Sequence, residues 1–202
     1  ALSQENEALK MRLTELEAIA SESGRDSILK YSDDYLFIPA EIVKISNNTQ
    51  HNYIIVGKGS NDGVTEGAGV ITGHGVIGVI DAVSPRFSYA RSFKNHDMSI
   101  SARLGREGSV GPLTWDGRSS SGAVLSEIPH HVEFTPGDTV YTSGYSSIFP
   151  PDIPLGTAGK AKIVNGATYE IEISLFEDFG ALRYVTVVEN TGQNEINSLE
   201  NR

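Results

Sequence analysis

Two patterns of hydrophobic and polar positions divide the chain near residue 31. In ALSQENEALKMRLTELEAIASESG, residues 1–24, a seam of mostly apolar positions recurs in alternate steps of four and three. From residue 32 onward, short runs rich in Val, Ile, Tyr and Thr are bounded by Gly, Pro, Asn or Asp. The first pattern is typical of an α-helix and the second of β-strands. The sequence therefore predicts one N-terminal helix followed by a mainly β region.

The helical seam has the spacing of a coiled coil. It consists of Leu2, Asn6, Leu9, Leu13, Leu16 and Ala20. Strict heptad spacing favours a helix that pairs with another helix, and a single Asn in the seam fixes the register of a parallel dimer. We predict a coiled coil over residues 1–31, with Leu2, Asn6, Leu9, Leu13 and Leu16 as the dimerisation residues. An amphipathic helix docked on its own domain is the alternative, because short helices are marginal alone. The seam starts in mid-repeat without a cap, so we expect the helix to continue upstream.

The β region contains ten runs that predict strands. Their centres lie about ten residues apart, with turn residues at each joint and no convincing long helix between them, which favours antiparallel barrels or a sandwich. The β region, at roughly 150 residues, is longer than one small barrel requires. The predicted fold class is therefore mainly β, with two small antiparallel β-barrels preceded by an N-terminal coiled-coil helix. The runs are EIVKIS, NYIIVGKG, GVIGVIDAVS, SISARLG, SVGPLTW, GAVLSEIP, DTVYTSG, AGKAKIV, TYEIEISLF and RYVTVVEN.

A weak internal repeat favours a duplicated barrel. GAGVITG…GVIGVIDAV at 67–83 and GDTVYTSG…PLGTAGKAKIV at 137–164 share a Gly-led turn and two strands; chance similarity of Gly-rich hairpins is the alternative. We place the joint near Gly105 to Gly108, with a first barrel at 32–105 and a second at 106–190, and leave open whether one barrel is inserted in the other. The acidic segment 191–202, poor in apolar residues, is expected to be disordered.

Charge and composition exclude several functional classes. The chain has 16 Lys and Arg against 26 Asp and Glu, a formal net charge of −10, so a phosphate-binding surface for nucleic acid is not expected. With no Cys, it has neither disulfides nor thiolate metal sites. No apolar run approaches the ~18 residues of a membrane span, and the start lacks a signal-peptide pattern.

Three short motifs resemble cofactor or metal sites, and none meets the chemical requirements. GHGVIG has the glycine spacing of a dinucleotide loop, but a second strand follows where a helix is needed, so we assign Gly73, Gly75 and Gly78 to turns and close packing. KGSNDGVTEGAG imitates a calcium loop but lacks the carboxylates at its first and last ligand positions. His130 and His131 are adjacent and point to opposite faces of a strand. We expect no cofactor and no metal.

A catalytic alternative depends on serines in a double barrel. Ser143 or Ser146 would be the nucleophile of a serine protease-like hydrolase, with the His96–Asp97 pair or His51 as partners. The loop lacks the Gly-Asp-Ser-Gly character that builds an oxyanion hole, and adjacency of His96 and Asp97 does not orient an imidazole toward a distant serine. Hydrolase is therefore the second interpretation.

The stretch GDTVYTSGYSSIFPPDIPLGTAGKA, residues 137–161, predicts a strand, a stiff surface loop and a returning strand. Gly144 permits a turn with positive φ, and three prolines restrict the bend. A stiff loop loses little entropy on docking. The candidate partner-binding residues are Tyr145, Ile148 and Phe149. The alternative is that Ile148 and Phe149 plug the end of their own barrel.

The series VGKGSNDGV, GVITGHGVIGVI, V-x-TSG, IFP, IPLG and RYVTVVE, after a heptad with EN-x-x-L, resembles the MreC family of bacterial rod shape-determining proteins over nearly the whole chain. The resemblance implies a cytoplasmic tail and one membrane-spanning helix upstream, with two barrels on the periplasmic side of the cytoplasmic membrane. It also implies a non-enzymatic scaffold of the wall-elongation machinery that dimerises, positions a class B penicillin-binding transpeptidase and meets MreD and MreB. Ser146 and Ser147 depart from the glycine expected before IFP.

Overall fold

The computed structural model describes residues 34–46 and 51–200, so the predicted coiled coil at 1–31 lies outside the described residues. From Tyr35 onward the chain forms one compact unit. Among the described residues, its regular elements are twelve strands, one turn of 3₁₀-helix at Ser60–Asp62 and one C-terminal α-helix. They are β1 (Tyr35–Ser46), β2 (Tyr53–Val56), β3 (Gly69–Thr72), β4 (Gly75–Val83), β5 (Ser88–Ser92), β6 (Ser99–Leu104), β7 (Val110–Trp115), β8 (Gly122–Pro129), β9 (Thr139–Thr142), β10 (Pro154–Val164), β11 (Thr168–Leu175), β12 (Tyr184–Asn190) and α1 (Gln193–Glu200).

The strands close into two antiparallel barrels of six strands each, which confirms the predicted fold class for the β region. The first barrel has the order β1-β12-β3-β4-β5-β2, and the second has the order β10-β11-β8-β7-β6-β9. All pairings are antiparallel, as short strands joined by tight turns require. Closure leaves neither sheet with a full-length open edge.

The second barrel is inserted into the first, and this corrects the expected boundaries. β12 lies between β1 and β3 of the first barrel, although it follows the whole second barrel in sequence. β6 pairs with β7 and β9, so the second barrel starts before the joint we placed at residue 105. The boundary prediction assumed barrels contiguous in sequence, but strand pairing is non-local and does not follow chain order.

The two barrels share one strand topology, as a duplication requires. If β1 to β5 are matched in order with β7 to β11, and β12 with β6, every neighbour in one barrel has its counterpart in the other. The two hairpins of the predicted repeat, β3–β4 and β9–β10, occupy equivalent places. A β-bulge interrupts β4 between Ile80 and Ala82, and another interrupts β10 between Ala158 and Ala161.

Alternate residues fill the barrel interiors. β7 shows strict alternation of half-buried and buried positions, with Leu113 fully enclosed, as expected when one face of a strand lines a core. Ile54 and Ile80 have this role in the first barrel, and Leu125 and Ile171 in the second. The buried side chains of both barrels form one continuous hydrophobic cluster.

The crossover from the first barrel to the second is fixed by a reciprocal pair of buried amides. Asn52 N donates to Asn95 Oδ1 at 2.9 Å, and Asn95 Nδ2 donates to Asn52 O at 2.7 Å. The returning connection, residues 176–183, buries Phe179 and holds Glu177 against the Thr72 hydroxyl. Lys94 Nζ lies 5.6 Å from the ring centroid of Trp115 and 5.9 Å from that of Phe179. Both connections are therefore attached to the barrels.

The segment after β12 is largely helical, which corrects the expectation of disorder for 191–202. Gly192 O accepts hydrogen bonds from the backbone N–H groups of Glu195 and Ile196 at the start of α1. Gln193 Nε2 lies 3.4 Å from Gly67 O. Low apolar content did not prevent a short helix, because two backbone hydrogen bonds start it and one side chain connects it to the first barrel.

Candidate partner-binding site

The candidate site is the connection between β9 and β10, residues 143–153, called here the Tyr145 loop. Thr142 closes its base, since its Oγ1 donates to Pro150 O at 2.7 Å and accepts from Ile153 N at 2.9 Å. Thr142 N also donates to Ile153 O at 2.9 Å. Together with the bond from Asp152 N to Thr142 O at 3.1 Å, four hydrogen bonds on one buried residue hold the two ends of the loop together.

The arms of the loop are fixed by backbone conformations that few residues adopt. Gly144 has φ of 80°, and a Cβ built on it would lie 2.7 Å from Pro151 Cβ. The opposite arm carries Asp152 with φ of 66°, and its carboxylate pairs with the Arg103 guanidinium. Glycine is required at the first position by both φ and contact. The prediction of positive φ at Gly144 is confirmed.

The three candidate side chains of the loop have different environments. Tyr145 is 81% exposed, Ile148 is half-buried, and Phe149 is only 4% exposed. Phe149 therefore does not belong to an exposed partner-binding surface, and its inclusion among the candidate residues is corrected. Sequence alone does not separate the three, because adjacent apolar side chains in an irregular loop have no period that assigns them to a face.

Phe149 packs on the first barrel, a position that neither sequence interpretation anticipated. A Cβ built on Gly69 in β3 would lie 2.6 Å from Phe149 Cε1 and 2.9 Å from Val188 Cγ1. Tyr35 Oη, at the start of β1, lies 3.4 Å from Phe149 O. The ring is therefore packed against β3 of the first barrel, at the contact between the two barrels. The sequence contains no signal for this packing position of the Phe149 ring, since glycines and valines are common in every strand.

The serines considered as nucleophiles have structural partners. Ser143 is 5% exposed, its hydroxyl donates to Ser101 Oγ at 2.7 Å, and it accepts from Tyr145 N at 3.0 Å. Ser146 Oγ accepts from Ile148 N at 3.1 Å. Within residues 34–46 and 51–200, no histidine hydrogen-bonds to either serine. These contacts organise the loop and provide no general base for a nucleophile.

The histidines and acids proposed for other chemistry are also dispersed. The His96 ring lies 5.2 Å from the Trp115 ring, and Asp97 pairs with Arg91 at 3.0 Å, so the two neighbours contact different groups. His130 and His131 have ring centroids 6.2 Å apart in an edge-on arrangement. Across the described part of the chain, no three His, Asp or Glu side chains converge on a possible metal position.

The glycine motifs occupy the turn and packing positions predicted for them. Gly73 lies in the turn between β3 and β4, and a Cβ built on Gly78 would lie 2.2 Å from Arg91 O of the neighbouring strand. In the imitation calcium loop, Lys58 Nζ pairs with Asp62 Oδ1 at 2.8 Å. That hydrogen bond, with a second from Gly59 N, lowers the pKa of Asp62 below its ordinary value.

The described residues define a protein of two β-barrels, the second inserted into the first in sequence. A stiff loop of the second barrel presents one exposed tyrosine near the contact between the barrels. Of its described helices, none is both long and apolar enough to cross a membrane. The family model "Rod shape-determining protein MreC, barrel core" matches residues 42–189. The chain therefore belongs to the MreC family of rod shape-determining proteins, which confirms the resemblance noted from its motifs.

Several relatives share this architecture. The cell shape-determining protein MreC of Listeria monocytogenes is 26% identical over 204 residues, covering 94% of this chain and 69% of the relative. A solved MreC structure from that organism covers 95% of this chain and 97% of its own, with a TM-score of 0.73 at 22% identity. A solved "major periplasmic domain from the cell shape-determining filament MreC" covers 78% of this chain and 98% of its own, with a TM-score of 0.66 at 18% identity.

A further similar structure is of a complex. It is described as a complex between penicillin-binding protein PBP2 and MreC from Helicobacter pylori, and its matching chain has a TM-score of 0.63 at 17% identity. The match covers 78% of this chain and 99% of that chain. These structural likenesses show the fold that the chains share.

Proposed function

We propose that this protein is a non-enzymatic scaffold of the cell-wall elongation machinery on the periplasmic side of the cytoplasmic membrane. In this proposal it controls cell shape by dimerising and by positioning a class B penicillin-binding transpeptidase. The Helicobacter relative solved in complex with PBP2 is the observation that carries the proposal. The family resemblance adds MreD and MreB as further partners, and an upstream membrane anchor.

The Tyr145 loop is the surface we assign to the transpeptidase. Tyr145 combines high exposure with a fixed backbone, since Ser143 Oγ accepts its N–H and Thr142 closes the loop behind it. A rigid aromatic side chain of this kind gains contact area on docking while losing little conformational entropy. Ile148 adds partly exposed apolar surface, and Phe149 supports the loop from the contact between the barrels.

Dimerisation is assigned to the heptad at Leu2, Asn6, Leu9, Leu13 and Leu16. Paired helices would place two copies of the barrels at a defined height above the membrane, where two transpeptidase molecules bind in a fixed arrangement. The coiled coil determines the spacing, and the barrels provide the binding surface. The two functions therefore use separate parts of the chain.

The test is a titration of this chain against the extracytoplasmic part of a class B transpeptidase from the same bacterium. We expect saturable binding that weakens by about tenfold or more for Tyr145→Ala, the effect of removing an interface anchor. Tyr184→Ala is the matched control, because Tyr184 is also an exposed tyrosine, at 63%, but lies on the first barrel. Equal loss in both variants would contradict the assignment to the loop, and no saturable binding would contradict the partner.

A further inference from the structure

The second barrel has an open cleft at the end where β8 leads into β9. The cleft has a volume of about 710 Å³. It is formed by the β8–β9 connection, residues 130–138, and by one residue of β11. The side chains that matter for its chemistry are His131, Glu133, Phe134, Asp138 and Tyr169. This β8–β9 cleft lies apart from the residues of the Tyr145 loop.

In the first barrel, the position equivalent to the β8–β9 cleft is filled. There the β2–β3 connection lies against the β4–β5 turn, with Ser60 N donating to Ser84 O at 3.0 Å and Asn61 N to Pro85 O at 3.2 Å. The connection and the turn are so close that a Cβ on Gly59 would lie 2.2 Å from Ser84 O. In the second barrel, the corresponding connection meets the β10–β11 turn through His130, whose N donates to Ala167 O at 3.0 Å, and residues 131–135 line the open cleft. The cleft is thus a specific difference between two barrels of identical topology.

The walls of the cleft are aromatic and acidic. Phe134 and Tyr169 meet edge to face with ring centroids 6.0 Å apart. Tyr169 pairs across the ladder with Ile163, which is 56% exposed. Glu133 and Asp138 contribute two carboxylates, and of the described residues that line the cleft none is a lysine or arginine. A basic side chain with an aliphatic stem matches this combination by charge and by cation–π contact.

The neighbouring strand offers backbone groups for an extended ligand. β9 pairs with β10 only as far as Thr157, and the last backbone bonds on that side join Ala158 to Gly137 and Asp138. From Gly159 to Val164, β10 still pairs with β11 on one side, but its other side, the one that faces β9 earlier in the strand, has no strand partner among the described residues. Lys162 points away from the cleft, because it alternates with Ile163 and pairs with Glu170 on the other face. An unpaired edge of this kind accepts an added strand.

We propose that the β8–β9 cleft binds an extended segment of a partner protein that carries a basic side chain between β-branched residues. The basic side chain enters between the two carboxylates and the aromatic rings, and the segment's backbone pairs with β10 beyond Ala158. This inference does not rest on the proposed function, because it uses a different surface and a different partner chemistry.

The experiment measures fluorescence anisotropy of the dye-labelled peptide Thr-Val-Lys-Val-Thr-Val as the full chain is added. We expect saturable binding, and weaker binding by about tenfold or more for two altered peptides, one with Glu in place of Lys and one with alternate backbone nitrogens methylated. The first peptide removes the charge match, and the second prevents strand addition while keeping the side chains. Equal binding of the Glu peptide, or no binding of the Lys peptide, would overturn the proposal.

A protein variant locates the site. The double variant Glu133→Gln and Asp138→Asn should lose about tenfold or more in affinity for the Lys peptide. The Asn side chain keeps an oxygen that can accept from Thr135 N, as Asp138 does at 2.8 Å. Glu172→Gln is the control, since this exposed carboxylate lies on the outer face near Lys160, and it should bind like the unaltered chain. Binding unchanged in the double variant would place the peptide elsewhere and refute the assignment.

Discussion

The ring of Phe149 lies directly over Gly69, so that a loop of the second barrel is seated on a strand of the first. A Cβ on Gly69 would approach Phe149 Cε1 to 2.6 Å, closer than Cβ atoms are found in real structures. The same loop presents Tyr145 to solvent. Because one loop carries both residues, the contact with the first barrel also fixes where the exposed tyrosine stands.

Gly69→Ala should destabilise the protein through this contact. The added methyl group must displace either the Phe149 ring or Val188, and overpacking of this kind costs about 1–3 kcal/mol in free energy of unfolding. Urea unfolding measures the change. Gly73→Ala is the control, because a Cβ there meets nothing within 4 Å and its φ is not in the left-handed region. Similar unfolding free energies for the two variants would contradict the tight packing of Phe149 on Gly69.

Truncating the two aromatic residues of the loop should change the stability by very different amounts. Phe149→Ala removes a ring that is only 4% exposed, so the free energy of unfolding should fall by about 3–5 kcal/mol. Tyr145→Ala removes a ring that is 81% exposed, so the change should stay within about 0.5 kcal/mol. Thermal and urea unfolding distinguish the two. A stable Phe149→Ala variant would mean that the contact between the barrels contributes little to the fold.

Asn95→Ala should weaken the crossover between the barrels. The substitution leaves the buried Asn52 N without its acceptor, whereas Asn52 O loses one of two donors and keeps the bond from Ser92 N. The free energy of unfolding should decrease by about 1–3 kcal/mol because of the unsatisfied Asn52 N–H group. Asn61→Ala, at an exposed position, serves as the control. If Asn95→Ala unfolds like the control, water or a shifted backbone must replace the lost bonds.

Most of the strands were predictable, and the exceptions have a physical reason. Runs rich in Val, Ile, Tyr and Thr identified β4, β11 and β12, since those residues suit a half-buried pleated surface. β5 was missed because its sequence SYARS is mostly polar or small, although Ala90 within it is fully buried. Its assignment depends on pairing with β2 and β4, which are distant in sequence.

Neither the arrangement of the barrels nor the packing position of Phe149 could be predicted from the sequence. Insertion of one barrel into the other depends on β12 pairing with β1, which is set by tertiary contacts alone. The loop's stiffness was predictable, because Gly144 and the prolines restrict the backbone wherever they occur. The burial of Phe149 was not, since Gly69, against which its ring packs, belongs to a strand far away in the chain.

The pKa of Asp62 should rise toward its ordinary value in Lys58→Met. The lowered pKa comes first from the hydrogen bond with Lys58 and then from that with Gly59 N. A lowered pKa means that the ionised carboxylate supports the turn above the ordinary carboxyl pKa, and that this support is lost as pH falls through the lowered one. An NMR pH titration of the Asp62 side chain measures the shift, with Lys160→Met as control. An unchanged Asp62 pKa in Lys58→Met would show that the ion pair does not persist in solution.

Self-association should depend on the heptad rather than on the barrels. Leu9→Glu with Leu13→Glu places charges at two seam positions, where burial against a second helix is unfavourable, so the chain should become monomeric. Light scattering at increasing concentration measures the mass. Met11→Glu is the control, because Met11 is two residues from Leu9 and from Leu13 in the sequence, which places it on the face of the predicted helix away from the heptad positions. A dimeric mass for the double variant would move the self-association surface to another part of the chain, while a monomeric mass for the unaltered chain would make dimerisation dependent on a partner.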